Sequence, residues 1–375
     1  MTELARHPEP RLLGGMELSR LLDRPGVSVV LTGGRSADSD AVFVIHDRIG
    51  PDLVLRAPTT AAAQDGIQRE GRLLAALRDR PLGRVAGSVP EAVGFLPVDG
   101  RPALLTTAVP GTPMAAGFHG WRHTARPRAV RADFAAAKEW LADLREATAG
   151  RPAPVTLLWD ALDECEDRFP ALGRRLRDRL GPTADRLAGH RTPRTVVHGE
   201  FWFGNLLLTD GRVTGVVEWK AAELSGEPLR DVARFAVSYA LCLDRHVRPG
   251  RRVPGHPGLV ADRWGAGLAY AFAGGGWFAD LVRDYLGDAL HRLRLPPELW
   301  RDVLVAGVAD VAATTADFDS ARDHWTLLSR ITRDSGPAAP APRGPERAAG
   351  RARRRRAPAV RSRDTTNDGQ GRRFG

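Results

Sequence analysis

Three side chains able to bind a hard cation surround one predicted β-hairpin in the second half of the chain. Glu200 precedes its first strand, Asn205 lies at the start of that strand, and Glu218 lies at the end of the second strand. Carboxylate and amide oxygens are the ligands that Mg²⁺ and Ca²⁺ prefer in proteins. The three residues therefore predict a hard-cation site, which suits phosphoryl transfer or, as an alternative, metal-assisted hydrolysis.

The hairpin itself is predicted from its turn. Asp210-Gly211 is typical of two-residue hairpin loops, because both central residues need positive φ, and an apolar run flanks it on each side. Symmetric pairing about this turn places Asn205 opposite Val216. Glu218 is then expected as the diagonal neighbour of Asn205 on the same face of the sheet, roughly 7–8 Å away.

The first part of the chain predicts a small β-rich region with one helix. The expected strands are Val27–Leu31, Ala41–Ile45, Leu53–Arg56, a short one near Val93–Phe95 and Ala103–Thr107, and the helix is Thr60–Arg80. Gly33, Gly34, Arg35 and Ser36 lie in the first turn, where backbone N–H groups are able to bind phosphate.

The predicted helix contains an informative acidic residue. Ile67, Leu74 and Leu77 form an apolar stripe at helical spacing, and Glu70 falls inside that stripe. A buried carboxylate needs a cationic partner, and Arg56 at the end of the preceding strand is the expected one. The alternative is that Glu70 lies at the edge of the stripe in contact with water.

After the breaker Pro110-Gly111-Thr112-Pro113, helical patterns dominate. The expected helices are Ala132–Thr148, Trp159–Asp178, Leu229–Leu243, Gly265–Leu286 and Pro297–Thr315. We therefore expect an N-terminal segment 1–25, a small lobe 26–111, a larger lobe 112–335 and a tail 336–375.

Composition narrows the class of protein. Two cysteines exclude a disulfide framework, and the N-terminus MTELARHPEPRLL has no apolar core typical of a signal peptide. No apolar run reaches the roughly 20 residues that a membrane-spanning helix needs. We therefore expect a soluble, cytoplasmic protein that does not act in a membrane.

The net charge of +10 is concentrated in the tail. Residues 336–375 contain eleven Arg and three acidic residues, which leaves only +2 on residues 1–335. The tail has few large apolar residues, so we expect it to be disordered. Nucleic-acid binding is not expected, apart from a non-specific contact by this basic tail.

Taken together, these residues resemble the aminoglycoside phosphotransferase-like family of small-molecule kinases. The most specific stretch contains His198-Gly199-Glu200, Asn205 and Glu218-Trp219, followed by Gly226-Glu227-Pro228 and Asp231. The family has Asp at both acidic positions where this chain has Glu200 and Glu218. It has Lys where this chain has Arg56.

The resemblance implies an α+β, protein-kinase-like fold with a small β-rich N-lobe and a larger, mainly helical C-lobe. It also implies site residues, with Glu200 as the catalytic carboxylate, Asn205 and Glu218 as Mg²⁺ ligands, and His198 and Asp231 as supports of the catalytic loop. Arg56 and Glu70 correspond to the phosphate-binding pair, and the hinge that binds the base would include Thr106 and Ala108.

The function implied is ATP-dependent transfer of a phosphate to a hydroxyl group of a small molecule, with GTP as a possible replacement for ATP. The alternative is a weak or inert pseudokinase that binds nucleotide or another small ligand. Residues 251–335 contain eleven acidic residues and ten Arg. This balance gives no acidic surface for a polycationic drug, so antibiotic resistance is not the expected role.

Overall fold

The computed structural model describes residues 28–33, 40–46, 52–273 and 275–333. Gly34, Arg35 and Ser36 of the predicted phosphate-binding turn lie outside these residues. The segment 1–25 and the tail 336–375 also lie outside them, so the expectations for these parts stay predictions.

The N-terminal lobe contains a five-stranded antiparallel sheet. Its strands are β1 (Ser28–Gly33), β2 (Asp40–His46), β3 (Leu53–Pro58), β4 (Ala92–Val98) and β5 (Arg101–Thr107), in the order β1-β2-β3-β5-β4. The turn Asp99-Gly100 joins β4 to β5 with positive φ at both residues, as a tight hairpin requires. The predicted strands are confirmed, although several extend a few residues further. Gly33 ends β1 and pairs with Ala41 rather than lying in the turn.

Helix α1 (Ala61–Arg78) follows β3 and packs on the sheet. It begins after Thr60, whose hydroxyl accepts a hydrogen bond of 3.1 Å from the N–H of Ala63. Glu70 is 3% exposed, between the buried side chains of Ile67 and Leu74. Glu70 is therefore inside the apolar stripe, and the interpretation that it contacts water is wrong.

The C-terminal lobe is mainly helical. Its helices are α2 (Met114–Phe118), α3 (Pro127–Thr148), α4 (Leu157–Arg168), α5 (Pro170–Ala188), α6 (Leu229–Leu241), α7 (Ala266–Ala273), α8 (Trp277–Arg292), α9 (Trp300–Thr314) and α10 (Phe318–Arg333). Short strands lie between them, namely β6 (Thr112–Pro113), β7 (Pro152–Pro154), β8 (Arg191–Pro193), β9 (Thr195–Val197), β10 (Leu206–Thr209), β11 (Arg212–Val216), β12 (Glu223–Gly226), β13 (Arg251–Arg252) and β14 (Val260–Ala261).

Two of the predicted helices are each divided in the structure. Residues 159–178 form parts of α4 and α5, because Pro170 has no N–H to continue α4 and instead begins α5. Residues 265–286 are divided near Gly276, whose φ is +123°. Helix α10 was not predicted. Its buried Ala321, Trp325 and Leu328 have helical spacing, so its signal was present in the sequence.

The hairpin forms as predicted, but its register differs. Val216 pairs with Leu206 rather than with Asn205, because the pairing shifts between Leu207 and Leu208. The bulge leaves Thr214 as the extra residue, and its hydroxyl donates to the carbonyl of Pro110 at 2.9 Å. The predicted diagonal relation between Asn205 and Glu218 is therefore wrong, since Glu218 lies beyond the end of β11.

The two lobes share one hydrophobic core. Ile67 of α1 and Phe95 of β4 belong to the same buried cluster as Trp219 and the helices of the C-terminal lobe. A smaller cluster, which includes Leu55 and Leu105, covers the other face of the sheet. Among the described residues, no helix is both long and apolar enough to cross a bilayer.

Candidate active site

The loop between β9 and β10 carries the motif His198-Gly199-Glu200, and Asp231 fixes its backbone. One carboxylate oxygen of Asp231 accepts from the N–H of His198 at 2.6 Å, and the other accepts from the N–H of Gly199 at 2.8 Å. Asp231 is 1% exposed, and burial raises its pKa to about 6 against these hydrogen bonds. The first turn of α6 therefore holds the loop at two consecutive peptide groups.

His198 connects the loop to the end of the hairpin. Its Nδ1 lies 3.2 Å from the N–H of Glu200, and its Nε2 lies 2.9 Å from the carbonyl oxygen of Val217. Burial lowers the pKa of His198 to about 3, so the ring is neutral. Nδ1 must then accept and Nε2 must donate, which fixes Glu200 relative to the residue that precedes Glu218.

Gly199 is required by the close approach of a neighbouring segment. Its φ is +78°, and a Cβ placed there would lie 2.2 Å from the carbonyl oxygen of Ala221. The segment after Trp219 therefore packs directly on the backbone of the loop. Any larger residue at this position would separate the two acidic residues of the site.

Asn205 turns its amide toward the same loop. Its Nδ2 donates to the carbonyl oxygen of Glu200 at 2.9 Å, and the residue is 7% exposed. The side-chain oxygen Oδ1 takes no part in this contact.

Glu218 has an uncommon backbone conformation. Its φ of 69° and ψ of 57° are left-handed, which costs a non-glycine residue about 1–3 kcal/mol. The turn ends β11 and starts the short helix Trp219–Ala221. Backbone strain outside ordinary hairpin turns often marks a functional site, so this conformation directs attention to the Glu218 carboxylate.

Arg56 lies at the centre of a group of carboxylates. It donates to Glu70 through Nη1, and to both Asp40 and Glu218 through Nη2, at 2.8 Å for Glu218. The predicted contact between Arg56 and Glu70 is therefore present. The second oxygen of Glu70 accepts from the backbone N–H of Trp219 at 3.0 Å, so Glu70 also joins α1 to the C-terminal lobe.

The electrostatics of this group are unbalanced. Burial by itself lowers the pKa of Arg56, but Glu70, Glu218 and Asp40 outweigh it and raise the pKa, so the guanidinium stays charged. Burial raises the pKa of Glu70 and of Asp40. Arg56 acts in the opposite direction, and the negative charge of Glu218 adds to the rise in both.

A cavity of about 670 Å³ brings four of the predicted site residues together. Arg56, Glu200, Asn205 and Glu218 all line it. Thr106 and Ala108 do not line it, and the N–H of Ala108 donates to the carbonyl of Asp52 at 2.8 Å. The structure therefore does not bring the two predicted hinge residues into this cavity.

Side chains that sequence reasoning did not select also line the cavity. They include Asp40, Lys220 and Arg234. Asp40 lies in the polar run SADSD, and no feature of that run marks it as a site residue. Lys220 could have been selected from the sequence, because it is one of only two lysines in the chain and directly follows Glu218-Trp219.

The donor set suits Mg²⁺ that is bound together with a phosphate. Among the described residues, no group of three or more His, Cys, Asp or Glu side chains is arranged to hold a metal. Mg²⁺ nevertheless needs only one or two carboxylates when phosphate and water supply the other ligands. Glu218 and Asn205 both line the cavity and would be the residues to supply such ligands.

The sequence of residues 30–296 matches the phosphotransferase enzyme family known as APH. The chain belongs to this family. The match covers most of both lobes, so the resemblance seen in the sequence is confirmed, as is the α+β, kinase-like fold. The sequence has no significant match among curated proteins.

Solved structures with the same fold include two of a thermostable mutant of the aminoglycoside phosphotransferase APH(4)-Ia. One is a ternary complex with AMP-PNP and hygromycin B, 16% identical, with a TM-score of 0.50 over 84% of this chain and 96% of that chain. The other is a complex with ADP and hygromycin B, 16% identical, with a TM-score of 0.50 over 85% of this chain and 99% of that chain. At this identity the likeness shows the fold alone.

Proposed function

We propose that this phosphotransferase-family member transfers the γ-phosphate of ATP to a hydroxyl group of a small molecule. The observation that carries the proposal is that Arg56, Glu200, Asn205 and Glu218 line one cavity. Phosphoryl transfer needs neutralised phosphate charge and an oriented acceptor, and this set of side chains offers both. ATP is the expected donor, and GTP is the alternative.

Each residue has a distinct proposed role. Glu200 accepts a hydrogen bond from the acceptor hydroxyl and takes its proton. Asn205 and Glu218 hold Mg²⁺, which neutralises phosphate charge when it is bound. Asp231 and His198 fix the position of Glu200 through the contacts described above.

The part of the cavity lining contributed by the C-terminal helices favours an acceptor other than a polycation. The lining contributed by residues 234–324 contains Arg234, Ser238, Leu241, Cys242, Val311 and His324. This part of the lining has no carboxylate, and the Nη1 of Arg234 lies 3.3 Å from the largely buried Asp310. Polyamine drugs require acidic partners, so a neutral hydroxyl compound is the better candidate.

A specific observation supports a second candidate, an inert pseudokinase that binds nucleotide. Arg56 is 6% exposed and is enclosed by three carboxylates. Glu also carries its oxygens one methylene further than the Asp of the family pattern, and an error of about 1 Å at a reacting centre costs about a hundredfold in rate.

A thermal-shift experiment with ATP and GTP, each with and without Mg²⁺, tests nucleotide binding before any acceptor is known. We expect stabilisation that depends on Mg²⁺. The absence of any stabilisation by either nucleotide would contradict both candidates.

Two variants then separate the enzyme from the pseudokinase. Glu218→Gln should remove most of the Mg²⁺-dependent stabilisation by ATP, because it removes the negative charge of the only carboxylate proposed to bind the ion. Glu200→Gln should keep Mg-ATP binding and lower turnover by a factor of about 10²–10⁴, as for loss of a general base. Slow ATP hydrolysis serves as the readout, and the exposed Glu298→Gln is the control. Binding without any turnover in the parent would favour the pseudokinase.

A further inference from the structure

Arg56 has little capacity left to bind a phosphate. Its Nη2 already donates to Asp40 and Glu218, and its Nη1 donates to Glu70. Its Nε is buried without a hydrogen-bond partner among the described residues, and the whole side chain is 8% exposed. Both N–H groups of Nη2 are used, so a phosphate would reach this guanidinium only through the remaining N–H of Nη1 or by displacing a carboxylate.

Arg56 is 8% and Arg234 is 13% exposed, so the most accessible cation of the cavity lining is Lys220. Its side chain is 31% exposed, and its Nζ lies 3.5 Å from Glu218. That distance exceeds the roughly 2.7–2.9 Å of a charge-assisted hydrogen bond. The stem of Lys220 lies near Gly66 of α1, where a Cβ would stand 3.7 Å from its Cδ.

The charges around this point require a further cation for a polyphosphate. Asp40, Glu70 and Glu218 all contact Arg56, so three carboxylates share that guanidinium, and Lys220 is the second cation next to Glu218. Arg234, which also lines the cavity, is paired with Asp310. A nucleotide brings more negative charge into this excess, so Mg²⁺ alone would have to offset all of it if Lys220 did not contribute. The ammonium of Lys220, which lies next to Glu218, is correctly placed to help.

We propose that Lys220, rather than Arg56, makes the direct contact with the phosphates of the nucleotide. The proposal rests on the nucleotide-binding function proposed above. Arg56 then acts as a structural centre that holds Asp40, Glu70 and Glu218 in place. The phosphate-binding cation is supplied by the segment after the hairpin instead of by the N-terminal sheet.

The lysine content of the chain makes a direct test possible. Lys138 is the only other lysine, and its Nζ is 2.7 Å from Asp288, outside the cavity. An acyl-phosphate derivative of ATP carries an electrophilic acyl group on its terminal phosphate. A nearby lysine amine attacks the acyl carbon, so an amide bond forms while the acyl–phosphate bond breaks, ATP leaves and the amine releases a proton.

We expect the full-length protein to be acylated at Lys220, and we expect excess Mg-ATP to prevent this reaction, as read by peptide mass spectrometry. Lys220→Met should weaken Mg-ATP binding roughly ten- to a hundredfold, the range for loss of a charged hydrogen bond, and should leave adenosine binding unchanged. Lys138→Met should change neither.

The outcomes separate this proposal from the function on which it rests. If Mg-ATP stabilises the parent but Lys220 is not acylated, or is acylated no faster than Lys138, the role of Lys220 is wrong and nucleotide binding stands. If Lys220→Met weakens adenosine and Mg-ATP equally, the residue acts on the fold and the proposal also fails. If Mg-ATP does not bind at all, both fail.

Discussion

The buried group around Arg56 predicts an unequal response to removing its members. Arg56→Met would take the shared guanidinium from three carboxylates, of which Asp40 (7% exposed) and Glu70 (3% exposed) are buried, and Glu218 would keep only Lys220 at 3.5 Å. Glu70→Gln would leave Arg56 with two carboxylate partners, Asp40 and Glu218. Replacing Arg56 should therefore lower the free energy of unfolding much more than replacing any one of the three acidic residues.

The magnitudes follow from the contacts. Removing one partner of a buried ion pair costs about 3–5 kcal/mol, and we expect Arg56→Met to reach at least this range because several charges lose the same partner. Glu70→Gln keeps an acceptor oxygen for either Arg56 or the N–H of Trp219, and the other donor loses its acceptor. One unsatisfied buried donor costs about 1–3 kcal/mol. Asp40→Asn lowers the excess of negative charge and should cost least.

The free energy of unfolding, measured by urea denaturation at pH 7 with tryptophan fluorescence, gives this order directly. The double variant Arg56→Met with Glu70→Gln should lose less than the sum of the single changes, by about 0.5–3 kcal/mol. Additive losses, or a larger loss for Glu70→Gln than for Arg56→Met, would refute the proposed arrangement of charges.

Three further predictions concern the loop and the tail. Asp231→Asn leaves the N–H of His198 or Gly199 without an acceptor and should cost about 1–3 kcal/mol in urea at pH 7. The pKa of Asp231 is about 6 in the fold and ordinarily 3.8, so its protonation adds stability as the pH falls through 6 toward 4. The difference in free energy of unfolding between the parent and Asp231→Asn should therefore grow as the pH falls over that range. A difference that shrinks would contradict the raised pKa. Gly199→Ala should destabilise the protein far more than Gly211→Ala. Both glycines have φ near +75°, but only Gly199 has a carbonyl oxygen 2.2 Å from the added Cβ. Equal melting temperatures for the two variants would show that the contact is absent. Deleting residues 336–375 should leave the melting temperature and nucleotide binding unchanged, and a loss of several degrees would show that the tail packs on the rest of the protein.

Local patterns made several features of the site predictable. The turn Asp210-Gly211 forms the expected hairpin, with φ of 51° and 75°, because positive φ is a property of the two residues themselves. The burial of Glu70 follows from its place in a helical stripe, since the period of an α-helix depends only on neighbouring residues. The motif His198-Gly199-Glu200 was also recognisable, because it depends only on residue types and their order along the chain.

The register of the hairpin was decided by tertiary packing. Symmetric pairing about the turn fails after Leu208, where Thr214 bulges out and donates to the carbonyl of Pro110. Gly215 allows this approach, because a Cβ there would lie 2.7 Å from the side chain of Val109. The segment between the lobes therefore sets the register, and no pattern within the hairpin contains that information.

The sequence by itself determined the family and the two-lobed α+β fold, and it offered the pairing of Arg56 with Glu70 as one of two interpretations. Only the tertiary structure revealed Asp40 and the accessible Lys220 as parts of the same group. Asp40 shares a face with Arg56 because Val42 pairs with Arg56 across β2 and β3, and residues two apart on a strand lie on one face. Lys220 reaches the group because Glu218 turns into a left-handed conformation just before it. Both contacts depend on distant segments meeting, which residue order alone does not specify.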